Sequence, residues 1–145
     1  MKQDYIKMKQ KNLKILFIED DTIESMKFDR VVKTLGLTHQ INQAKNGEEA
    51  LIYLKEKHDL PDIIILDLNM PKLNGVEFLT ILKNDIILKY IPAIILTTSS
   101  NYRDVKQCYK IGIAGYILKP LKYEDYVFKI QKLLEYWSCN ELISE

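Results

Sequence analysis

The sequence predicts an α/β protein, a doubly wound parallel sheet of five strands with helices on both faces. Three observations predict it. Four short apolar runs, residues 15–18 (ILFI), 63–66 (IIIL), 93–96 (AIIL) and 116–118 (YIL), lack period-two alternation, so both faces of each are expected to be buried. Segments with helical spacing separate these runs. Right-handed crossovers between parallel strands then place helices on both sides of the sheet.

The elements follow in order. The first strand is residues 15–18. Asp21, with Glu24 three residues later, resembles a capping box that opens the first helix. Phe28, Val31, Val32 and Leu35 form the apolar face of that helix, and Gly36 supplies its stop. A weaker strand spans residues 40–44. Ala50, Leu51 and Leu54 mark the second helix, and residues 63–66 the third strand. Val76, Leu79 and Leu82 mark the third helix, followed by the strand at 93–96. Val105, Cys108 and Gly112 mark the fourth helix, followed by the strand at 116–118. Val127, Ile130, Leu134 and Trp137 define the last helix. No linker, repeat or low-complexity tract interrupts the alternation.

Length and composition bound the function. A chain of 145 residues is one domain by size, and 47% hydrophobic with 28% charged residues is a globular composition. No apolar run approaches the roughly 18–20 residues a membrane helix needs. The opening MKQDYIKMKQKNLK has neither an apolar centre nor a small-residue cleavage site, so no secretory signal is visible. The two cysteines, Cys108 and Cys139, form no CxxC, which fits a reducing compartment and excludes a disulfide framework or cysteine-based zinc site. A cytoplasmic location is expected. The net charge of +1 conceals +4 over residues 1–14 and −3 over the remainder. Residues 1–13 are read as a solvated basic extension, 14–138 as the domain and 139–145 as a tail. No direct nucleic-acid or membrane partner is expected.

Sites in such sheets form beyond the carboxyl ends of the strands. The first strand delivers Glu19, Asp20 and Asp21 there, the third Asp67, Leu68 and Asn69, the fourth Thr97, Thr98 and Ser99, and the fifth Lys119 and Pro120. Carboxylates gathered in one crevice repel one another unless a cation sits among them. Two or three carboxylate oxygens, with water completing the shell, suit Mg²⁺ better than zinc or a calcium cage. A carboxylate beside Mg²⁺ can attack a phosphoryl group and become an acyl phosphate. That transfer needs positioning and charge neutralisation, which the Lys119 ammonium and the Thr97 hydroxyl can supply.

Rival chemistries fail on particular residues. A dehalogenase-type phosphatase needs an acid two positions after its nucleophile, where this chain has Asn69. No GxxxxGK[ST] or GxGxxG occurs. His39 and His58 stand isolated, which leaves a histidine-activated nucleophile without support.

The residues resemble the receiver domains of two-component response regulators, from about Lys14 to Trp137. The resemblance rests on Ile-Glu-Asp-Asp after the first strand, Asp-Leu-Asn-Met-Pro after the third, Thr-Thr-Ser after the fourth and Gly-Tyr-Ile-Leu-Lys-Pro at the fifth. It implies a flavodoxin-like (βα)5 fold with strand order 2-1-3-4-5. It implies Asp67 as phosphoacceptor, with Asp20 on Mg²⁺ directly, Glu19 through water and Asn69 through its backbone carbonyl. Thr97 and Lys119 would bind the phosphoryl group, and Asn69 and Ser99 would tune its loss. Tyr116 would turn inward as Thr97 moves, and Lys119–Pro120 would be a cis peptide. Such a protein catalyses only its own phosphorylation and dephosphorylation. The pattern over residues 62–71, the run Ile-Pro-Ala-Ile-Ile-Leu-Thr-Thr-Ser-Ser and Tyr136-Trp137 look like the stand-alone receivers that pair with phytochrome-type histidine kinases. Two departures are Asn74 before Gly75, where aspartate is usual, and Ile113, where a small residue is common.

The partner expected is a histidine kinase or a histidine phosphotransfer protein. Only 25 residues follow Pro120, so output is expected through partner binding rather than an attached effector domain. Tyr123, Phe128 and Tyr136 lie off the core stripe of the last helix. They point to a homodimer, or a docked partner, on the face made by helix four, strand five and helix five. The alternative is a receiver-like interaction domain that never accepts phosphate.

Overall fold

In the computed structural model, the branched and leucine-rich runs become the centre of the sheet, as burial on both faces demands. The structure describes residues 11–56 and 59–143; residues 1–10, which carry most of the basic arm, and His58 lie outside the described residues. The strands are β1 (Lys14–Ile18), β2 (Gln40–Ala44), β3 (Ile63–Leu66), β4 (Ala93–Thr97) and β5 (Gly115–Leu118). The helices are α1 (Thr22–Thr34), α2 (Gly47–Glu56), α3 (Gly75–Asn84), α4 (Tyr102–Ile111) and α5 (Tyr123–Ser138), with a 3₁₀ turn at Leu88–Tyr90 before β4. All strand pairs are parallel and the order is β2-β1-β3-β4-β5.

Side chains alternate between two cores because successive residues of a strand point to opposite faces. Ile15, Phe17, Ile63, Ile65, Ile94 and Leu96 meet α1 and α5 on one face. There Phe17 stacks on Phe28 of α1, with ring centroids 4.2 Å apart. Leu16, Ile18, Ile64, Leu66, Ala93 and Ile95 meet α2, α3 and Cys108 of α4 on the other. The expected stops are in place: Gly36 and Gly112 follow α1 and α4 with φ of 70° and 122°, the left-handed region that favours glycine.

Several expectations need correction. β5 is not buried on both faces: it is an edge strand, and its residues 115–117 are half-buried while Leu118 is exposed. The Lys119–Pro120 peptide is trans. Proline makes a cis bond cheap without requiring it, since trans remains favoured by about 0.5–1 kcal/mol. The core stripe of α5 is Tyr126, Ile130, Leu133 and Leu134, with Val127 and Trp137 only packed against its margin. The packed region also begins earlier than Lys14. Leu13 is fully buried, its N–H donates to His39 Nδ1 at 2.9 Å, and Asn12 Oδ1 accepts from the Thr38 hydroxyl at 2.7 Å.

Asp21 caps α1 by accepting from the Ile23 N–H at 2.9 Å, but Glu24 does not complete a capping box. The reciprocal box occurs instead at α3. Asn74 accepts from the Glu77 N–H at 2.9 Å, and Glu77 accepts from the Asn74 N–H at 3.0 Å. Asparagine thus meets the capping requirement where aspartate was usual. Ile113, the other departure, is buried in the core that contains Cys108.

Candidate functional site

The parallel sheet brings the carboxyl ends of β1, β3, β4 and β5 to one edge. Backbone hydrogen bonds carry the register past the last strand residues. The Glu19 N–H donates to the Ala44 carbonyl at 3.0 Å, Asp67 to Ile18 at 3.2 Å and Lys119 to Thr97 at 2.8 Å. Glu19, Asp67, Thr97 and Lys119 therefore project from fixed backbone, although 100 residues of sequence separate Glu19 from Lys119.

The centre of the site is the Lys119 ammonium. Its Nζ donates to Glu19 Oε1 at 2.7 Å and to Asp67 Oδ2 at 3.3 Å, and lies 3.7 Å from Glu24 Oε2. The Lys119 side chain is 6% exposed and that of Glu19 2%. Burial raises the Glu19 carboxyl to about 7, against the opposing pull of the Lys119 hydrogen bond and charge. Burial also works against the Lys119 charge, but the Glu19 hydrogen bond and the Asp67 carboxylate outweigh it and hold the ammonium above its usual range. At neutral pH the site is a buried cation among acids.

Asp67 is oriented from below. Its Oδ1 accepts from the Leu68 N–H at 2.7 Å and the Asn69 N–H at 3.4 Å, which leaves Oδ2 facing Lys119. Gly75 holds the following loop against it. Its N–H donates to the Leu68 carbonyl at 3.0 Å, and a Cβ there would stand 2.7 Å from the Asp67 carbonyl oxygen. Lys72 and Leu73 complete the loop in left-handed conformation, and the Leu73 carbonyl accepts from the Gly47 N–H at 3.2 Å.

On the other flank, Thr97 is fully buried and its Oγ1 accepts from the Ser99 N–H at 3.4 Å. The Ser99 hydroxyl donates to Asp104 Oδ2 at 2.7 Å, and its carbonyl accepts from the Tyr116 hydroxyl at 2.7 Å. Tyr116 itself is half-buried on β5. Asp20 and Asn69 are exposed at the rim, beside their buried neighbours.

Glu19, Asp67 and Lys119 thus meet through their side chains, while Thr97 ties to the Ser99 loop and Asp20 stands exposed. Among the described residues no group of three or more His, Cys, Asp or Glu side chains is arranged to hold an ion as it stands. The Lys119 ammonium lies against both Glu19 and Asp67. The donor set still fits a hard divalent cation, because it offers carboxylate and carbonyl oxygens without imidazole or thiolate. Two participants escaped the sequence reading. Glu24 matches the spacing of a cap but turns to Lys119, and Gly75 matches a turn but also packs on the phosphoacceptor candidate.

Comparison with known proteins agrees with this fold. The family model for the response regulator receiver domain matches residues 15–131. A probable methanogenesis regulatory protein of Methanothrix harundinacea, FilR2, is 35% identical over 127 residues, covering 85% of this chain and 82% of that protein. The phosphorylated cyanobacterial phytochrome response regulator RcpA superposes with a TM-score of 0.85 at 30% identity, covering 91% of this chain and 99% of that one. The Mn²⁺-bound form of the response regulator Rcp1 superposes with a TM-score of 0.83 at 31% identity, covering 90% and 99%.

Proposed function

The chain belongs to the response regulator receiver domain family, and from that premise we propose that it is a phosphorylation switch charged at Asp67. The observation that carries the reading is the Lys119 ammonium seated between Glu19 and Asp67 at the carboxyl edge of the sheet. An Asp67 oxygen attacks the phosphorus of a phosphohistidine on a kinase or phosphotransfer protein. The oxygen–phosphorus bond of an acyl phosphate forms as the phosphorus–nitrogen bond to the imidazole breaks, and the imidazole leaves with the bonding electron pair.

Each side chain has a task in that transfer. Backbone N–H groups of Leu68 and Asn69 fix Asp67 by its Oδ1, so the carboxylate keeps one orientation. The Lys119 ammonium neutralises one equatorial oxygen of the phosphoryl group, and the Thr97 hydroxyl donates to another. Asp20, Glu19, Asp67 and the Asn69 carbonyl are the groups that would hold Mg²⁺, which when bound supplies charge neutralisation to the phosphoryl oxygens. Burial of Thr97 and Glu19 keeps competing water from the inner wall of the site.

The charge gained at Asp67 is transmitted through Thr97. Its movement towards the phosphoryl group draws in the loop that carries Ser99, and Tyr116, bonded to that loop, follows. The output face is then α4, β5 and α5, where Tyr102, Tyr109, Leu118, Phe128 and Tyr136 are exposed. Output is a change in homodimerisation or in partner docking on that face. The resemblance to the phytochrome response regulator RcpA supports a phytochrome-type histidine kinase as donor, and the setting is cytoplasmic.

The test is incubation with a small acyl-phosphate donor and Mg²⁺, read by intact-protein mass. Wild type is expected to gain one phosphoryl mass that Asp67→Asn does not, and that chelation of the metal prevents. No Mg²⁺-dependent adduct on the wild type would replace this reading with a receiver-like interaction domain that signals by binding alone.

A further inference from the structure

We propose that Glu24 is a positioning residue that receives the Lys119 ammonium when a divalent cation binds at Asp67, an inference that rests on the divalent-cation reading of the site. The carboxylate such an ion needs is engaged by Lys119, whose Nζ lies 3.3 Å from Asp67 Oδ2 and 2.7 Å from Glu19 Oε1. An ammonium and a divalent cation cannot both rest on the Asp67 carboxylate, since like charges this close and this poorly solvated repel strongly. Lys119 therefore has to withdraw. With its side chain only 6% exposed it cannot simply turn into water, and a buried charge without a partner is costly.

Glu24 offers the alternative. Its Oε2 lies 3.7 Å from Lys119 Nζ, just beyond hydrogen-bond distance, and is buried without a hydrogen-bond partner. Native buried oxygens are nearly always bonded, so an orphan acceptor beside a cation that must move is an acceptor held in reserve. The Tyr126 hydroxyl, whose ionisation feels the Glu24 and Glu19 charges, is likewise buried without a hydrogen-bond partner. Glu24 stands on the first turn of α1, fixed by the Asp21 cap, so the carboxylate is delivered by a rigid element. Moving Lys119 from Asp67 to Glu24 exchanges one carboxylate for another, frees Asp67 for the ion and leaves Glu19 to reach it through water.

The experiment is a calorimetric titration with Mg²⁺ of wild type, Glu24→Gln, Glu24→Asp, Lys119→Gln and the Glu24→Gln/Lys119→Gln double variant. Glu24→Gln is expected to bind Mg²⁺ about tenfold more weakly, the scale on which partners of ligand side chains act. Glu24→Asp, which keeps the charge, should recover part of the loss. Lys119→Gln should bind more tightly than wild type because the competing ammonium is gone, and adding Glu24→Gln to it should change nothing further. Wild-type affinity in Glu24→Gln overturns the proposal. So does an equal loss in the Lys119→Gln background, which would mean that Glu24 acts on the ion by its own field. Absence of Mg²⁺ binding in the wild type would instead overturn the divalent-cation reading, and the Glu24 proposal with it.

Discussion

The Tyr116 phenol donates to the backbone carbonyl of Ser99 at 2.7 Å, and so ties the edge strand β5 to the loop that leaves Thr97. Ser99 is bound on its other side too: its N–H donates to Thr97 Oγ1 and its hydroxyl to Asp104. One short loop therefore connects the wall of the site, the first turn of α4 and the ring on the output face. A displacement of Thr97 cannot leave Tyr116 where it is without breaking or dragging this bond.

Tyr116→Phe isolates that link. Loss of one such bond is worth about 1 kcal/mol, so the variant should unfold at slightly lower temperature. Amide exchange over residues 98–101 should quicken, because the loop has lost its tether to β5. Acyl-phosphate accumulation at Asp67 should equal or exceed that of wild type, since the bond no longer resists the inward movement. Unchanged exchange in the loop would show that the bond constrains nothing.

How far the site was legible in the sequence depends on the kind of residue. Glu19, Asp67, Thr97 and Lys119 were legible because strand ends in a parallel sheet deliver side chains to one edge, a rule of topology. Glu24 was not, because its spacing from Asp21 matches a capping box and the ammonium that draws it away lies at the far end of the chain. The trans Lys119–Pro120 bond was illegible because proline permits both isomers. The exposure of β5 follows from its place at the sheet edge, and apolar composition alone does not distinguish an edge strand from a central one.

The exposed apolar side chains near the output face make a second prediction. Tyr102 and Tyr109 on α4 and Phe128 and Tyr136 on α5 all stand more than half exposed, a density that marks an interaction surface. Light scattering after size-exclusion chromatography should find a larger dimer fraction with a phosphoryl mimic than without. Phe128→Glu should return the protein to monomer while leaving Asp67 able to take up the phosphoryl group. A monomer in both states of the wild type excludes the dimer and leaves the face to a different protein.

Asn69 and Ser99 lie two positions beyond Asp67 and Thr97, and from the proposed switch they are expected to affect loss of the phosphoryl group rather than its gain. Asn69 is exposed at the rim, where its amide can hold an attacking water, so Asn69→Ala should lengthen the acyl-phosphate half-life several-fold. Ser99→Ala releases Asp104 and should shift the half-life as well. Mg²⁺ affinity should be unchanged in both variants, since neither side chain is a ligand. Half-lives equal to wild type would remove both residues from the dephosphorylation step.

At the opposite end of the sheet, His39 predicts how stability follows pH. Its Nδ1 accepts from the Leu13 N–H at 2.9 Å, and its Nε2 is buried without a hydrogen-bond partner. Burial holds its pKa below the usual value, so the folded protein keeps the ring neutral. Lys11 and Glu135, of opposite charge, line the cavity beside it. The unfolded chain binds this proton at an ordinary pKa of about 6.5, so the contribution is present above that pH. It is lost as pH falls from there through the lower folded value, with a slope of at most about 1.4 kcal/mol per pH unit for one proton. Urea denaturation between pH 8 and pH 5 should show wild type losing stability relative to His39→Asn by this amount, since Glu19, whose raised pKa acts in the opposite direction, is common to both proteins. Parallel profiles for the two proteins would mean that His39 titrates alike in both states and that the Leu13 contact does not depend on the neutral ring.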